Sequence, residues 1–148
     1  SSDVIQGFID RVDPIVEGQP AKVFILGGVN DISHDLTPDS LCTSMEKLIV
    51  KIKQGSPRTK IYLQSLLPID NSFGRYRKMV GKEQVIVETN RLYKEMAERH
   101  GVTWIDLYSK MVDPATGSMR KGLTNDGLHL LGAGYLVWRD AVLPYVKK

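Results

Sequence analysis

Three short apolar runs alternate with longer amphipathic segments along this chain, and the alternation constrains the fold more than any other feature. The runs are AKVFILGG at residues 21–28, TKIYLQSLLP at residues 59–68 and VTWIDL at residues 102–107, and each has the length and apolar content of a strand. The first run is nearly continuous and ends in two glycines, which is typical of a strand buried on both faces. Because the intervening segments are long enough to be crossover helices, a parallel sheet is expected.

The two segments between the strands carry helical periodicity and recognisable helix ends. Thr37 is a predicted N-cap with Pro38 at the first helical position, and Gly101 is placed to end a helix over residues 83–100. The apolar residues at helical spacing are Leu41, Met45, Leu48, Ile49 and Ile52 in the first segment, and Val87, Leu92, Met96 and Ala97 in the second.

Two further helices are expected outside the strands. One is amphipathic and covers residues 3–12, and a last helix begins near Gly132. The resulting order, α-β-α-β-α-β-α without an internal repeat, predicts an α/β three-layer sandwich with a parallel sheet. A chain of 148 residues is the size of one domain, so residues 1–148 are expected to form a single domain.

Charge and cysteine content exclude several function classes. The formal net charge is +3, and the densest basic cluster, at residues 75–82, is small, so no nucleic-acid partner is expected. No apolar run approaches the roughly 18 residues of a membrane span, so none is expected. Cys42 is the one cysteine, which rules out an intrachain disulfide and a cysteine-based zinc site. It stands beside Leu41 and Met45 on a helical face, where a core filler is favoured over a reactive thiol.

Polar clusters follow the predicted strands, at the edge where parallel sheets bind their ligands. Asp126 and His129 could form a general base and the carboxylate that orients it, or a helix cap and a residue packed in the first turn. Asn30 could donate to an oxyanion or simply form a turn. The clusters are GGVND at residues 27–31, SLLP with the loop over residues 71–81, and TNDGLH at residues 124–129.

The blocks GVND at residues 28–31 and DGLH at residues 126–129 together resemble the SGNH hydrolases, also called the GDSL esterase and lipase family. The resemblance covers essentially the whole chain and implies a flavodoxin-like sandwich. It also implies that Asp126 and His129 are two members of a Ser-His-Asp triad and that Asn30 is an oxyanion-hole donor. The implied activity is hydrolysis of carbohydrate O-acetyl or short acyl esters through an acyl-enzyme, without a metal or cofactor.

The family's Gly-Asp-Ser block and its second glycine block do not occur in this sequence. The chain therefore resembles a family member without its first two strands, and residues 1–148 alone are expected to be inactive. Ser65 and Ser33 could approach His129, but neither has the glycine neighbours of a nucleophile elbow. Arg75 and Tyr76 are either substrate contacts or part of a solvated loop.

Two other interpretations compete with the esterase. The chain could be a non-catalytic fragment or binding module derived from the family, or a nucleotide-binding domain, although it has no Gly-x-Gly-x-x-Gly or phosphate-loop lysine motif. Sugar deacetylation is common in the family, which favours a periplasmic or secreted protein. Loss of two strands would leave residues 23–26 at a sheet edge, and such an edge favours a homo-oligomer.

Overall fold

The computed structural model describes residues 17–18, 20–26, 36–69, 82–124 and 130–147. The strands form one parallel sheet in the order β1-β2-β3. The element order confirms the α/β expectation, and the helix predicted over residues 3–12 lies outside the described residues. The elements are β1 (Lys22–Ile25), α1 (Pro38–Gly55), β2 (Lys60–Gln64), α2 (Glu83–His100), β3 (Thr103–Ile105), α3 (Tyr108–Met111) and α4 (Gly132–Lys147).

Successive side chains of β2 point to opposite faces of the sheet, and helices cover both faces. Ile61 and Leu63 point into a core shared with α1 and α2, whereas Tyr62 points to the opposite face, against Ala141 and Val142 of α4. This arrangement confirms the predicted three-layer sandwich.

Strand β1 differs from the sequence prediction. Lys22, Val23 and Phe24 are half-buried, and of the residues in β1 only Ile25 is buried. The expectation of a strand buried on both faces is therefore wrong for most of β1. Among the described residues β1 pairs only with β2, so its other edge lacks the neighbour that would complete its burial.

Helix α1 follows its sequence signals closely. The Thr37 side chain accepts a hydrogen bond from the Ser40 amide at 3.2 Å and thus caps the helix. The five predicted core positions of α1 are all buried. Cys42 is half-buried against the same core, and burial, reinforced by the charge of Glu46, raises the pKa of its thiol. The thiol is therefore a core filler and not an activated nucleophile.

Helix α2 buries Met96 and Ala97 as predicted, and Leu92 is half-buried. Ile86 is buried, whereas Val87 is 42% exposed, so the inward assignment of Val87 is wrong. Gly101 ends the helix at a φ of 65°, in the left-handed conformation that favours glycine, as predicted.

The described residues include no helix that is both long and apolar enough to cross a lipid bilayer.

Candidate functional site

The site residues expected from sequence fall outside the part of the chain that the structure describes. The residues on either side of these segments are described: Leu26 follows β1, Ile69 precedes residues 70–81, and Thr124 and Leu130 flank residues 125–129. Because β1, β2 and β3 are parallel, their carboxyl ends lie at the same edge of the sheet. The residues outside the description are Asn30, Ser33, Arg75, Tyr76, Asp126 and His129.

Ser65 lies at this carboxyl edge, directly after β2. Its Oγ accepts hydrogen bonds from the backbone amides of Leu107 at 2.9 Å and Tyr108 at 2.8 Å. The residue has no solvent exposure, and the two amides occupy both lone pairs of the hydroxyl oxygen. Ser65 therefore anchors the amino end of α3, and this geometry leaves no access for an ester carbonyl.

Asn90 holds the backbone of Leu66, the residue that follows Ser65. Its side-chain Oδ1 accepts a hydrogen bond from the Leu66 amide at 2.7 Å, and its Nδ2 donates to the Leu66 carbonyl oxygen at 3.1 Å. Asn90 and Leu66 are both buried, and the Asn90 side chain makes the two backbone hydrogen bonds with Leu66 that a neighbouring strand would otherwise make. Asn90 was not among the residues expected from sequence, although its position between Ile86 and Tyr93 on the inward face of α2 was a usable signal.

Gln64 completes a series of three consecutive anchored residues. Its side-chain Oε1 accepts a hydrogen bond from the Trp138 indole Nε1 at 2.8 Å, and this bond ties β2 to α4. Gln64, Ser65 and Leu66 thus bind α4, α3 and α2 respectively. The carboxyl end of β2 is the point at which the layers of the sandwich are joined by buried polar contacts.

Hydrogen bonds also hold the loop after α3 against this edge. The Met119 amide donates to the carbonyl oxygen of Ile69 at 3.0 Å, and the Arg120 amide donates to that of Met111 at 2.8 Å. Met111, Met119 and Leu123 are buried together beneath α4. The loop therefore reaches Thr124 along a fixed path.

Residues 125–129, which include the Asp-x-x-His block, have both flanks joined to each other. Thr124 and Leu130 form an antiparallel bridge, and the Leu131 amide donates to the Leu123 carbonyl oxygen at 2.7 Å. We call these four flanking residues the clamp. Helix α4 begins directly after it, so the clamp joins the loop to the helix.

The described groups near this edge are neutral or engaged. Burial, followed by the charge of Glu83, raises the pKa of the Tyr108 phenol, which is therefore uncharged at neutral pH. Asp106 accepts hydrogen bonds from the Ser109 amide at 3.1 Å and from its hydroxyl at 2.6 Å, and so contacts the first turn of α3. No three His, Cys, Asp or Glu side chains within the described ranges are grouped so that they could hold a metal ion.

A cleft of about 430 Å³ lies at the opposite edge of the sheet, with Arg58, Lys60, Thr103 and Tyr145 in its lining. The carboxyl ends of α1 and α2 meet there, and the Lys53 ammonium donates to the His100 carbonyl oxygen. Cations at helix carboxyl ends neutralise the helix dipoles. Lys53 in this cleft thus has a structural role at the helix ends, and ligand sites of parallel sheets lie at the other edge.

Comparison with known proteins supplies an independent line of evidence. The model of the GDSL-like Lipase/Acylhydrolase family matches residues 1–137, a range that contains both sequence blocks. The comparison with curated proteins found no match to this chain.

Several solved structures have a similar fold. The lipase/acylhydrolase from Enterococcus faecalis is 25% identical, with a TM-score of 0.79 over 99% of this chain and 71% of that one. A GDSL-like lipase from Bacteroides thetaiotaomicron is 22% identical, with a TM-score of 0.88 over 99% and 72%. An acetyl xylan esterase is 19% identical, with a TM-score of 0.78 over 99% and 77%.

Proposed function

Because this chain belongs to the GDSL-like lipase/acylhydrolase family, we propose that its protein hydrolyses acyl esters through a Ser-His-Asp triad that contains His129 and Asp126. The observation that carries the proposal is the match of the family model across residues 1–137, which takes in both the GVND and DGLH blocks. The clamp supports it, because it joins the two ends of the segment that bears Asp126 and His129.

The proposed mechanism assigns one role to each residue. His129 takes the proton of a serine hydroxyl as that oxygen attacks the ester carbonyl, and Asp126 holds the imidazole in the required tautomer. The side-chain amide of Asn30 donates a hydrogen bond to the oxyanion that develops. His129 then gives its proton to the departing alcohol, and a water molecule activated by the same base hydrolyses the acyl-enzyme.

We place the nucleophilic serine outside residues 1–148. The burial of Ser65 and the engagement of its hydroxyl by two amides support this assignment, because Ser65 follows a strand at the same edge and would otherwise be a candidate. A non-catalytic module of the same fold is the second candidate function, and it follows if no serine is supplied to His129.

The proposed substrate is a carbohydrate O-acetyl ester or another short acyl ester, the class that the family resemblance implies. Arg75 and Tyr76, in the segment between β2 and α2, are proposed to contact the substrate. Because sugar deacetylation is common in the family, a periplasmic or secreted enzyme is proposed.

The decisive experiment is a variant series of the full-length protein assayed with p-nitrophenyl acetate. Asp126→Asn should lower kcat by about 10⁴-fold through the wrong imidazole tautomer, and His129→Ala should be at least as damaging. His100→Ala is the matched control, since His100 lies at the carboxyl end of α2 and contacts Glu46 instead. Unchanged turnover in both Asp126→Asn and His129→Ala would refute the triad.

A second experiment separates the enzyme from the non-catalytic module. Residues 1–148 alone should show no turnover above their own His129→Ala variant and no fluorophosphonate adduct, whereas the full-length protein should show both. An adduct on Ser65 or Ser33 would place the nucleophile inside this chain.

We also propose that residues 1–148 associate through the edge of β1. Within the described residues, that edge has no strand partner, Phe24 is only half-buried, and the adjoining Leu26 is 41% exposed. An unpaired strand edge with apolar side chains is a template for pairing with a second chain.

A further inference from the structure

Gly134 is buried in the first turn of α4 and has no room for a side chain. A Cβ atom added there would lie 2.8 Å from the Leu123 carbonyl oxygen, and also 2.8 Å from Cδ2 and 3.1 Å from Cβ of Leu130. The same Leu123 oxygen accepts the hydrogen bond from the Leu131 amide. The backbone of α4 therefore packs directly on the clamp.

Conformation does not explain the glycine at this position. Among the described glycines, only Gly101, Gly117 and Gly122 have a positive φ, so the backbone at Gly134 could carry any residue. Gly132, in the same turn, is exposed and has nothing within 4 Å of an added Cβ. The contact with the clamp is what separates two otherwise similar glycines.

We propose that Gly134 is a positioning residue for the catalytic pair, an inference that rests on the proposed function. Leu130, which Gly134 contacts, follows His129 directly in the chain, and Leu123 and Thr124 form the other flank of residues 125–129. The absence of a side chain at Gly134 thus lets α4 support both flanks of the segment that bears Asp126 and His129.

The size of the expected effect follows from packing distances. Carbon atoms pack at about 3.5–4.0 Å, so an alanine at position 134 must push the clamp and the helix apart by roughly half an ångström or more. A misplacement of about 1 Å at a reacting group costs on the order of 10²-fold in rate. Gly134→Ala should therefore lower kcat by about 10–100-fold and change KM less than about 3-fold.

The test uses Gly134→Ala and Gly132→Ala in the full-length protein, each also combined with Asp126→Asn. Kinetics with p-nitrophenyl acetate give kcat, KM and the pH profile of kcat/KM, and thermal melting checks that each variant is folded. Gly132→Ala should keep kcat within about 2-fold of the wild type, since its methyl group enters open space. In the Asp126→Asn background, Gly134→Ala should cost less than about 3-fold, because residues that act as a unit are not additive.

A role in folding alone predicts a different pattern. The inference is overturned if Gly134→Ala matches Gly132→Ala, if its loss of kcat is the same in both backgrounds, or if it leaves the pH profile unmoved. Should Gly134→Ala not fold, Leu130→Ala loosens the same contact without overpacking, and its loss of kcat must likewise vanish in the Asp126→Asn background. Full activity of His129→Ala would instead refute the proposed function, so the two failures are distinguishable.

Discussion

The side-chain oxygen of Ser65 accepts a hydrogen bond from the backbone amide of Tyr108 at 2.8 Å, so β2 ends on the first residue of α3. The amides at a helix amino end lack partners within the helix. The buried Ser65 hydroxyl therefore accepts from the Tyr108 amide and shares the Leu107 amide with the Ile105 carbonyl oxygen.

The first prediction concerns this contact. Ser65→Ala should lower the free energy of unfolding by about 1–3 kcal/mol, because the Tyr108 amide loses the Ser65 acceptor and the Leu107 amide keeps only its longer bond to the Ile105 carbonyl oxygen. Urea denaturation measures the change. Ser109→Ala is the matched control, since the exposed Ser109 hydroxyl donates to Asp106, and it should cost less than about 1 kcal/mol. Equal losses for the two variants would refute the anchoring role of Ser65.

The second prediction concerns the hydrogen bond between Trp138 and Gln64, which joins α4 to β2. Trp138→Phe and Gln64→Met each remove one partner and leave the other unpaired in a partly or fully buried position. A double-mutant cycle by chemical denaturation should therefore give a coupling energy of about 1 kcal/mol. Additive effects of the two changes would mean that the bond contributes nothing measurable.

The third prediction is a pH dependence introduced at Asn90. In Asn90→Asp, burial raises the pKa of the new carboxyl, and only its protonated form can still donate to the Leu66 carbonyl oxygen. Relative to the wild type, stability is then greatest at acid pH and falls as the pH rises through about 3.9, the ordinary pKa of aspartate, toward the raised value. Denaturation midpoints across pH measure it.

A control is available on the same helix. Gln84→Glu adds the same charge at an exposed position of α2, so no comparable loss should develop as the pH rises. A pH-independent difference between Asn90→Asp and the wild type would contradict the buried, bidentate role of Asn90.

The fourth prediction concerns acid stability and Glu46. Its Oε2 lies 2.7 Å from Nε2 of His100 and accepts a hydrogen bond from Arg99 at 3.2 Å. These bonds lower the pKa of Glu46 below its ordinary value of 4.5. The stability it contributes is therefore present above pH 4.5 and lost as the pH falls through the lowered value.

Glu46→Gln tests this dependence. Because the pair is partly exposed, the variant should be less stable than the wild type by only about 0.2–1 kcal/mol at neutral pH, and the difference should close on acidification. Glu98→Gln, an exposed change on α2, should show no such convergence. A difference that widens as the pH falls would reverse the assigned sign.

The fifth prediction concerns association through β1. Leu26→Lys places a charge beside the unpaired edge and should shift residues 1–148 from oligomer toward monomer in light scattering. Leu36→Lys is matched in exposure, since both side chains are 41% exposed, but Leu36 precedes α1 and should leave the distribution unchanged. A chain that is already monomeric would contradict the proposed edge pairing.

The sequence by itself determined the features that depend on neighbouring residues. The cap at Thr37, the left-handed end of α2 at Gly101 and the buried stripe of α1 were all predicted, because caps and helical spacing are local. The order of elements and the two sequence blocks were sufficient for the family assignment, which the family model confirms.

Only the tertiary structure decided which polar and apolar residues face the interior. From the sequence, Ser65 was a polar residue at a strand end. Its burial depends on the position of Leu107, which follows β3 and whose amide donates to the Ser65 hydroxyl oxygen. Trp138 and Gln64 are 74 positions apart, and the bond between them exists because α4 crosses the face of β2. The exposure of Val87 and the crowding at Gly134 likewise depend on how helices dock, a long-range packing outcome that local patterns do not encode.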